Sequence, residues 1–416
     1  MIVTALRLAD VRAVQHAELR FGPGLNLVVG VNGVGKTTVL DALGVCLSKI
    51  ANRANGVRTR PGGFSVDDIR AGARALSIEC DVRVDGRQYS PVVELRRLFD
   101  GAAIVDGSVA AQVDDVSLGP RMIELLPARV TGGEPGGRPI AVLYSTQRAV
   151  PSERIPRRAA AAGDWSAAFA GALNSRELRL GEFAHWMRAQ LALRVDRPAS
   201  ERLLAACENS VQRFLPGYRN LRLAGDYRPR LWIDHDGAAL PVRQLSDGER
   251  GLLALVLDLT RRLAQANPHL DDPAAESEAV VLIDELELHL HPKWQRQVVH
   301  NLTAAFPRCQ FIATTHSPQI VGEVPHDRIQ IMAEGEVYSP PRSLGVDSNR
   351  VLEEVMDARP RSSEMADLLS SVSNAFGQED FDQVRELLEQ LVEKLGENDP
   401  EVTRLRTLLA FLEGDE

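Results

Sequence analysis

Three short stretches of this chain carry residue types suited to handling a phosphate. The first, Gly30-Val31-Asn32-Gly33-Val34-Gly35-Lys36-Thr37, places Gly, Gly-Lys and Thr at every fixed position of a phosphate-binding loop. Its glycines let the backbone curl so that successive N–H groups point at one anion. The helix it opens favours negative charge at its N-terminus. Asn32, Gly33, Val34, Gly35, Lys36, Thr37 and Thr38 are the expected nucleotide contacts. Lys36 can reach the β- and γ-phosphates of ATP, and the Thr37 hydroxyl can bind Mg²⁺. The second stretch, Val280-Val281-Leu282-Ile283-Asp284-Glu285, ends a buried apolar run with two carboxylates. The carboxyl end of such a strand is where open α/β sheets bind ligands. Asp284 is expected to hold Mg²⁺, directly or through water, and Glu285 to act as general base or positioner of the attacking water. The third, Leu245-Ser246-Asp247-Gly248-Glu249, stands directly before a helical pattern. Ser246 can cap that helix, and Ser246, Gly248 and Glu249 form a small-residue turn at a helix N-terminus, suited to a γ-phosphate.

Two smaller groups complete the candidates. Thr314-Thr315-His316-Ser317-Pro318 follows an apolar strand, and His316 is expected at the γ-phosphate. Gln147, in Tyr144-Ser145-Thr146-Gln147-Arg148, is a candidate sensor of Mg²⁺ and water, with Arg148 beside it as a phosphate or interface contact. Glu287, His289 and His291 hint at a metal site, but their spacing lacks a further partner with metal-site geometry.

The elements needed to position these groups are legible. Residues 2–9 and 16–22 alternate as two short strands, Leu25 to Val29 is a buried strand, and a helix follows from about Lys36 to Lys49. Residues 76–84 and 91–99 pair as a hairpin around Asp85-Gly86, and 100–138 are loop-rich. Residues 139–144, 231–233, 240–242, 279–283 and 311–315 read as strands, and 164–214, 247–266 and 292–305 as helical. Pro268 to Glu278 reads as an acidic surface loop. Strands alternating with helices imply a parallel or mixed sheet covered on both faces, an α/β fold. The tail repeats apolar residues at helical spacing over Phe381–Leu395 and again after Asp399-Pro400, which predicts a C-terminal helical hairpin. The expected division is a lobe with the phosphate loop (1–150), a helical insertion (151–225), a lobe with the signature, carboxylates and His316 (226–340), and a helical region (345–416).

Composition narrows the function. The chain has 416 residues, of which 44% are hydrophobic and 25% charged, enough for two to three domains. A net charge of -9 argues against a general nucleic-acid coat protein. Two arginine-rich stretches remain as local candidates, either solvated loops or phosphate-contacting surfaces: Arg53, Arg58, Arg60, Arg70 and Arg74, and Arg148, Arg154, Arg157 and Arg158. Four scattered cysteines fit neither a disulfide framework nor zinc, and point to a reducing, cytoplasmic setting. No apolar run approaches a bilayer's thickness. There is no internal repeat and no long heptad run.

In their order along the chain these motifs resemble the ABC ATPases, with Ser246 to Glu249 similar to the signature usually written L-S-G-G-Q. The Asp and Glu variant looks like the OLD, RecF and SMC branch rather than membrane transporters. With Phe-Leu-Pro-Gly-Tyr and Leu-His-Leu-His-Pro-Lys-Trp-Gln, the chain is similar to prokaryotic AAA-21-type, OLD/RecF-like ATPases, and within them to the PtuA family of Septu antiphage systems, also found with retrons. The resemblance implies an ABC-type head with a mixed sheet flanked by helices. It also implies a homo-oligomer in which each signature serves the nucleotide of the facing subunit, with 287–291 at that contact, and an HNH nuclease partner (PtuB-like). The chain has no nuclease motif of its own. It also lacks the Toprim block of OLD proteins and the long coiled-coil arms of SMC proteins. A RecF-like DNA-repair role and a nucleotide-stabilised scaffold with little turnover are the alternatives.

Overall fold

The computed structural model describes residues 1–55, 62–97, 103–105, 108–110, 137–149, 165–174, 177–225, 229–354, 356 and 362–413. Of the arginine-rich candidates, Arg58, Arg60, Arg154, Arg157 and Arg158 lie outside the described residues. The chain divides into two compact units, Met1–Val351 and Leu352–Glu416.

The first unit begins with strands β1 (Ile2–Val11), β2 (Val14–Arg20) and β3 (Leu25–Val29), helix α1 (Lys36–Asn55), and strands β4 (Ala75–Val84), β5 (Arg87–Tyr89), β6 (Val92–Arg97), β7 (Ala103–Val105), β8 (Ser108–Ala110) and β9 (Ile140–Tyr144). Helices α2 (Leu180–Leu193) and α3 (Pro198–Phe214) follow, then strands β10 (Tyr218–Ala224), β11 (Arg230–His235) and β12 (Ala238–Pro241). Then come α4 (Asp247–Ala266), α5 (Pro273–Glu276), β13 (Ala279–Ile283), α6 (Pro292–Ala305), β14 (Cys309–Thr315), α7 (Pro318–Val321), β15 (Ile329–Ala333), β16 (Glu336–Tyr338) and α8 (Ser348–Glu354).

The central sheet runs β16-β15-β3-β14-β13-β9. All its pairs are parallel except β15 with β16. Every residue of β3, β13 and β14 is buried, which explains why these strands do not alternate; β13 is a continuous apolar run, and the buried polar Asn26 of β3 and Gln310 of β14 hydrogen-bond to main-chain groups. A second, antiparallel sheet runs β2-β1-β4-β6-β7-β8, with β5 on β4. Helix α1 is buried between the two sheets. Its Val39, Leu43 and Leu47 share one core with Leu6 and Leu8 of β1, Ile78 of β4 and Leu282 of β13. Burial on all sides accounts for its weak amphipathicity. It runs to Asn55, further than the sequence pattern reaches, and Asn55 Nδ2 donates to Ala51 O and Pro139 O there. Strands β10, β11 and β12 form a third, small sheet, and α3 packs on α4 and α6.

The loop read over 268–278 contains α5, capped by Asp272, and Pro273 and Ala274 are buried against the domain. The stretch read as one helical region over 164–214 is split: a 3-10 turn at Trp165–Ala168, then α2 and α3, separated before Pro198. Proline cannot continue a preceding helix but opens a new one well.

The second unit comprises α9 (Ser363–Gly377), α10 (Phe381–Leu395) and α11 (Pro400–Glu413). The hairpin expected here is therefore part of a three-helix unit, whose core joins Val372 and Ala375 to Val384, Leu388, Leu391, Val402, Leu405 and Leu409. The additional helix, α9, has an apolar face interrupted by Ser370, Ser371 and Ser373, a residue type that favours caps and turns over helix interiors. Gly396, at φ 90°, ends α10 in a conformation that L residues with side chains rarely adopt. Charge is unevenly divided: of the chain's 57 acidic and 48 basic side chains, residues 352–416 hold 17 and 6, so the first unit is nearly neutral.

Among the described residues no helix is long and apolar enough to cross a membrane. All four cysteines are free and buried.

Candidate nucleotide site

The carboxyl ends of the parallel strands converge on one edge of the central sheet. β3 leads into the glycine-rich loop, β13 into Asp284 and Glu285, β14 into His316, and β9 into Gln147. The loop curls through positive φ at Gly33 (83°) and Gly35 (111°). A Cβ on Gly35 would also stand 2.5 Å from Val14 Cγ2, so both the conformation and the space require glycine. Among the described residues, the N–H groups of Gly33, Val34, Gly35, Lys36 and Thr37 find no acceptor within the chain. They form an open anion cradle at the start of α1.

Lys36 is buried, and its Nζ donates to Gly30 O and Val31 O at 2.9 Å each. Burial lowers its pKa, opposed by the nearby Asp284, Glu285 and Glu287 carboxylates. Asn32 and Gly33 are exposed and Val34 half-buried, whereas the Thr38 side chain is buried in the core and leaves only its main chain for a ligand.

Thr37 Oγ1 lies 3.3 Å from Asp284 Oδ2, and Thr314 Oγ1 donates to Asp284 Oδ1 at 2.7 Å. One carboxylate oxygen is thus fixed, while the other faces the threonine of the loop. Two hard oxygen donors side by side fit Mg²⁺, which keeps several waters and takes few protein ligands. Asp284 and Thr37 would hold the ion, which would neutralise charge on the phosphates.

Glu285 has a positive φ of 48°. Its N–H donates to Thr314 Oγ1 at 2.7 Å, and its carbonyl accepts from Arg148 Nη2. Its backbone is pinned from both sides, and among the described residues its carboxylate has no hydrogen-bond partner. The carboxylate is therefore free to accept from a water.

Arg148 departs from its sequence-based reading. It is buried, and its guanidinium donates to the carbonyls of Ser145, Asp284 and Glu285. It clasps the β9 and β13 ends together from within the chain rather than pointing to a phosphate or a surface. Burial lowers its pKa to about 10, partly offset by Asp284 and Glu287. Gln147, next to it on the 3-10 turn Thr146–Ala149, is exposed.

Glu287 also takes an intrachain role. Its carboxylate accepts from Thr315 Oγ1 at 2.8 Å and from the His316 main-chain N–H. It ties the turn after Glu285 to His316, and among the described residues no group of three or more His, Cys, Asp or Glu side chains could hold a metal ion. Burial and then Lys36 lower the His316 pKa, so its imidazole is neutral at neutral pH.

The signature lies apart. Ser246 caps α4 in a capping box: Glu249 N donates to Ser246 Oγ at 3.3 Å, while Glu249 Oε2 accepts from Ser246 N at 3.0 Å and from Ser246 Oγ at 2.7 Å. Tyr218 OH donates to Glu249 Oε1 at 2.7 Å. A Cβ on Gly248 would come 2.6 Å from His289 O, so this glycine lets the signature turn pack against the segment after Glu285. Among the described residues no hydrogen bond joins Ser246, Gly248 or Glu249 to the phosphate loop. Lys36, Thr37, Asp284, Glu285 and His316 gather at one site, while the signature forms another. Thr314 and Tyr218 enter from the structure, the Thr314-Thr315 pair after an apolar strand being the one signal available; Arg148 and Glu287, both candidates in the sequence, have intrachain hydrogen bonds in place of the contacts expected of them.

Residues 145–322 match the family AAA_21, described as "AAA domain, putative AbiEii toxin, Type IV TA system". Residues 5–112 match AAA_23, an AAA domain. The chain is similar to the Retron Ec83 probable ATPase of Escherichia coli, 34% identical over 212 residues, which are 50% of this chain and 39% of that protein. It is similar to the Septu protein PtuA of Bacillus mycoides (strain KBAB4), 36% identical over 95 residues, or 23% of this chain and 13% of that protein. It is also similar to the DNA replication and repair protein RecF of Magnetococcus marinus, 53% identical over 114 residues, or 27% of this chain and 30% of that protein. The chain thus spans well under two thirds of the length of each of these relatives. Two AAA-domain models match separate parts of the chain, which is similar to proteins named as a retron probable ATPase and as Septu PtuA, and its glycine-rich loop between a buried parallel strand and a helix is that of a P-loop ATPase fold.

Proposed function

We propose that this chain hydrolyses ATP with Mg²⁺, associates with a second copy around the nucleotide, and thereby controls a partner nuclease in antiphage defence. The observation that carries the reading is the separation of two anion-binding helix starts within one chain. The loop at α1 holds Lys36 and Thr37 beside Asp284 and Glu285, and the signature at α4 shares no hydrogen bond with it. Beyond capping α4, the signature turn then has a phosphate to meet on a nucleotide held by another copy.

Within the site the chemistry divides by residue. The N–H groups of Gly33 to Thr37 and the Lys36 ammonium bind and neutralise the β- and γ-phosphates. Thr37 and Asp284 hold Mg²⁺. Glu285 accepts a proton from, or orients, the water that attacks the γ-phosphorus. His316, next to Lys36, donates an imidazole N–H to a γ-phosphate oxygen, and Glu287 holds it in place through the main chain.

The deciding experiment is phosphate release with and without Mg²⁺, alongside association measured by sedimentation with ATP and Glu285→Gln. Turnover that Lys36→Ala abolishes, with ATP-dependent association of Glu285→Gln, supports the reading. A Glu285→Gln chain that stays monomeric with ATP overturns the facing-subunit part, and negligible turnover favours a nucleotide-stabilised scaffold. The nuclease partner is proposed from the likeness to Septu and retron proteins, and co-purification with an HNH protein encoded by the adjacent gene tests it. The RecF likeness supports a second reading, ATP-dependent DNA binding. Charge reversal of Arg154, Arg157 and Arg158 with no loss of DNA affinity counts against that reading.

A further inference from the structure

The hydroxyl that the signature would offer to a phosphate is already engaged within the chain. Ser246 Oγ donates to Glu249 Oε2 at 2.7 Å and accepts from Glu249 N at 3.3 Å. To donate to a γ-phosphate oxygen, the Ser246 hydroxyl must leave the Glu249 carboxylate. That carboxylate is an anion placed where another anion is to arrive, and the other helix-start N–H groups cannot neutralise both. A second donor bears on it from outside the signature: Tyr218, at the start of β10, donates its hydroxyl to Glu249 Oε1 at 2.7 Å. Tyr218 is itself fixed. It is buried, and its ring stacks on His235 with centroids 4.1 Å apart and planes 3° from parallel. His235 is on β11, paired with Tyr218 across the small sheet. The tyrosine hydroxyl is thus a rigid donor aimed at the carboxylate that competes for Ser246.

We propose that Tyr218 is a positioning residue for ATP-dependent association: by holding one oxygen of Glu249, it shares the carboxylate's charge and eases release of the Ser246 hydroxyl to the facing subunit's nucleotide. The inference rests on the facing-subunit reading above. It makes the β10–β12 sheet a support of the signature rather than a surface appendage. It also assigns opposite signs to two changes in one chain of hydrogen bonds. Without the tyrosine hydroxyl, Glu249 holds Ser246 more tightly and association weakens. With a neutral amide at position 249, the capping box can persist, since glutamine serves at this position as glutamate does, while the competing charge disappears and association tightens.

The test uses the full chain in a Glu285→Gln background, so that ATP is not consumed, and follows association by sedimentation as ATP with Mg²⁺ is raised. Tyr218→Phe is expected to raise the half-maximal ATP concentration about tenfold, the scale of one hydrogen bond to a charged group. Glu249→Gln is expected to lower it severalfold. In the double variant, Tyr218→Phe should have little further effect, because the charge on which it acts is gone. ATP binding by the phosphate loop, followed with a fluorescent analogue under dilute, non-associating conditions, should be the same in all. Ser246→Ala serves as the reference. If Ser246→Ala impairs association but Tyr218→Phe does not, or if Glu249→Gln weakens association as much as Tyr218→Phe does, the inference is overturned while the facing-subunit reading stands. If Ser246→Ala has no effect, the facing-subunit reading itself fails. Thermal melting of each variant identifies a folding defect. A Tyr218→Phe chain that melts early is replaced by His235→Leu, at the half-buried stacking partner, which loosens the tyrosine hydroxyl and carries the same expected direction.

Discussion

The phosphate loop and the signature are both helix N-termini with small residues before them, yet they are in different states. At α1 the N–H groups of Gly33 to Thr37 are unengaged, and the one long side chain, Lys36, is folded back onto Gly30 O and Val31 O. At α4 the cap is closed on itself by Ser246 and Glu249. A helix start that keeps its N–H groups free beside a buried lysine gathers positive charge with no anion to balance it, and the result is a site ready for a highly charged anion. A self-capped start is stable without a ligand and must be opened by one. On the reading proposed above, the first binds nucleotide in a single chain, whereas a phosphate at the second competes with the Ser246–Glu249 cap.

Substitutions can break this contrast at either end. Lys36→Ala removes the only ammonium at the open cradle, and ATP affinity measured by calorimetry should fall about 10- to 100-fold, the scale of charge-assisted hydrogen bonds. Glu285→Gln should lower turnover at least about 100-fold, with nucleotide affinity retained, as read by single-turnover phosphate release. Arg148→Met leaves the buried Asp284 carbonyl without its donor, while the Ser145 and Glu285 carbonyls keep the main-chain N–H groups of Arg148 and Leu288. It should cost about 1–3 kcal/mol in chemical denaturation, and it should lower turnover more than nucleotide binding, because Glu285 loses one of its backbone anchors. Gly248→Ala forces a Cβ against His289 O, an overpacking of about 1–3 kcal/mol. It should weaken ATP-dependent association while leaving single-chain ATP binding intact, which would place the damage at the closed cap alone. The smallest effect concerns pH. The lowered His316 pKa means the folded chain binds fewer protons there than the unfolded chain. Stability should therefore rise with pH from the lowered value up to the ordinary one of about 6.5, and fall as pH drops through that window. His316→Asn should flatten this shallow slope in melting temperature.

Much of the open cradle could be read in the sequence because its chemistry is local. The loop, its strand and its helix are contiguous, and β13 and the Phe311–Ala313 core of β14 are apolar runs that lead to the carboxylates and the histidine. The closed cap was only half legible. Ser246 to Glu249 spells a capping box within four residues, but Tyr218 reaches it across 31 positions. The same holds for Glu287 on Thr315 and for Arg148 beneath Glu285: the partners are brought together by sheet pairing, which no spacing in the chain encodes. Arg148 shows the limit of reading by residue type. A guanidinium next to a phosphate site suggests a phosphate contact, whereas main-chain carbonyls at strand ends satisfy it equally well. Strands β10 and β16, at sheet edges and mixed in polarity, also escaped, as did β15, a run of only five residues interrupted by Gln330.

The uneven division of charge between the two units has a practical side. The acidity of the whole chain, with a sequence pI near 5.6, is a property of its last 65 residues more than of the catalytic unit. Titrating salt or pH will therefore act on two different electrolytes joined by one backbone. A nearly neutral body will tend to self-associate near its own isoelectric point, and a polyanionic appendage will keep it dispersed and will attract whatever basic macromolecules share the solution. Removing the appendage would change how the chain behaves on an anion exchanger before it changed anything at Lys36.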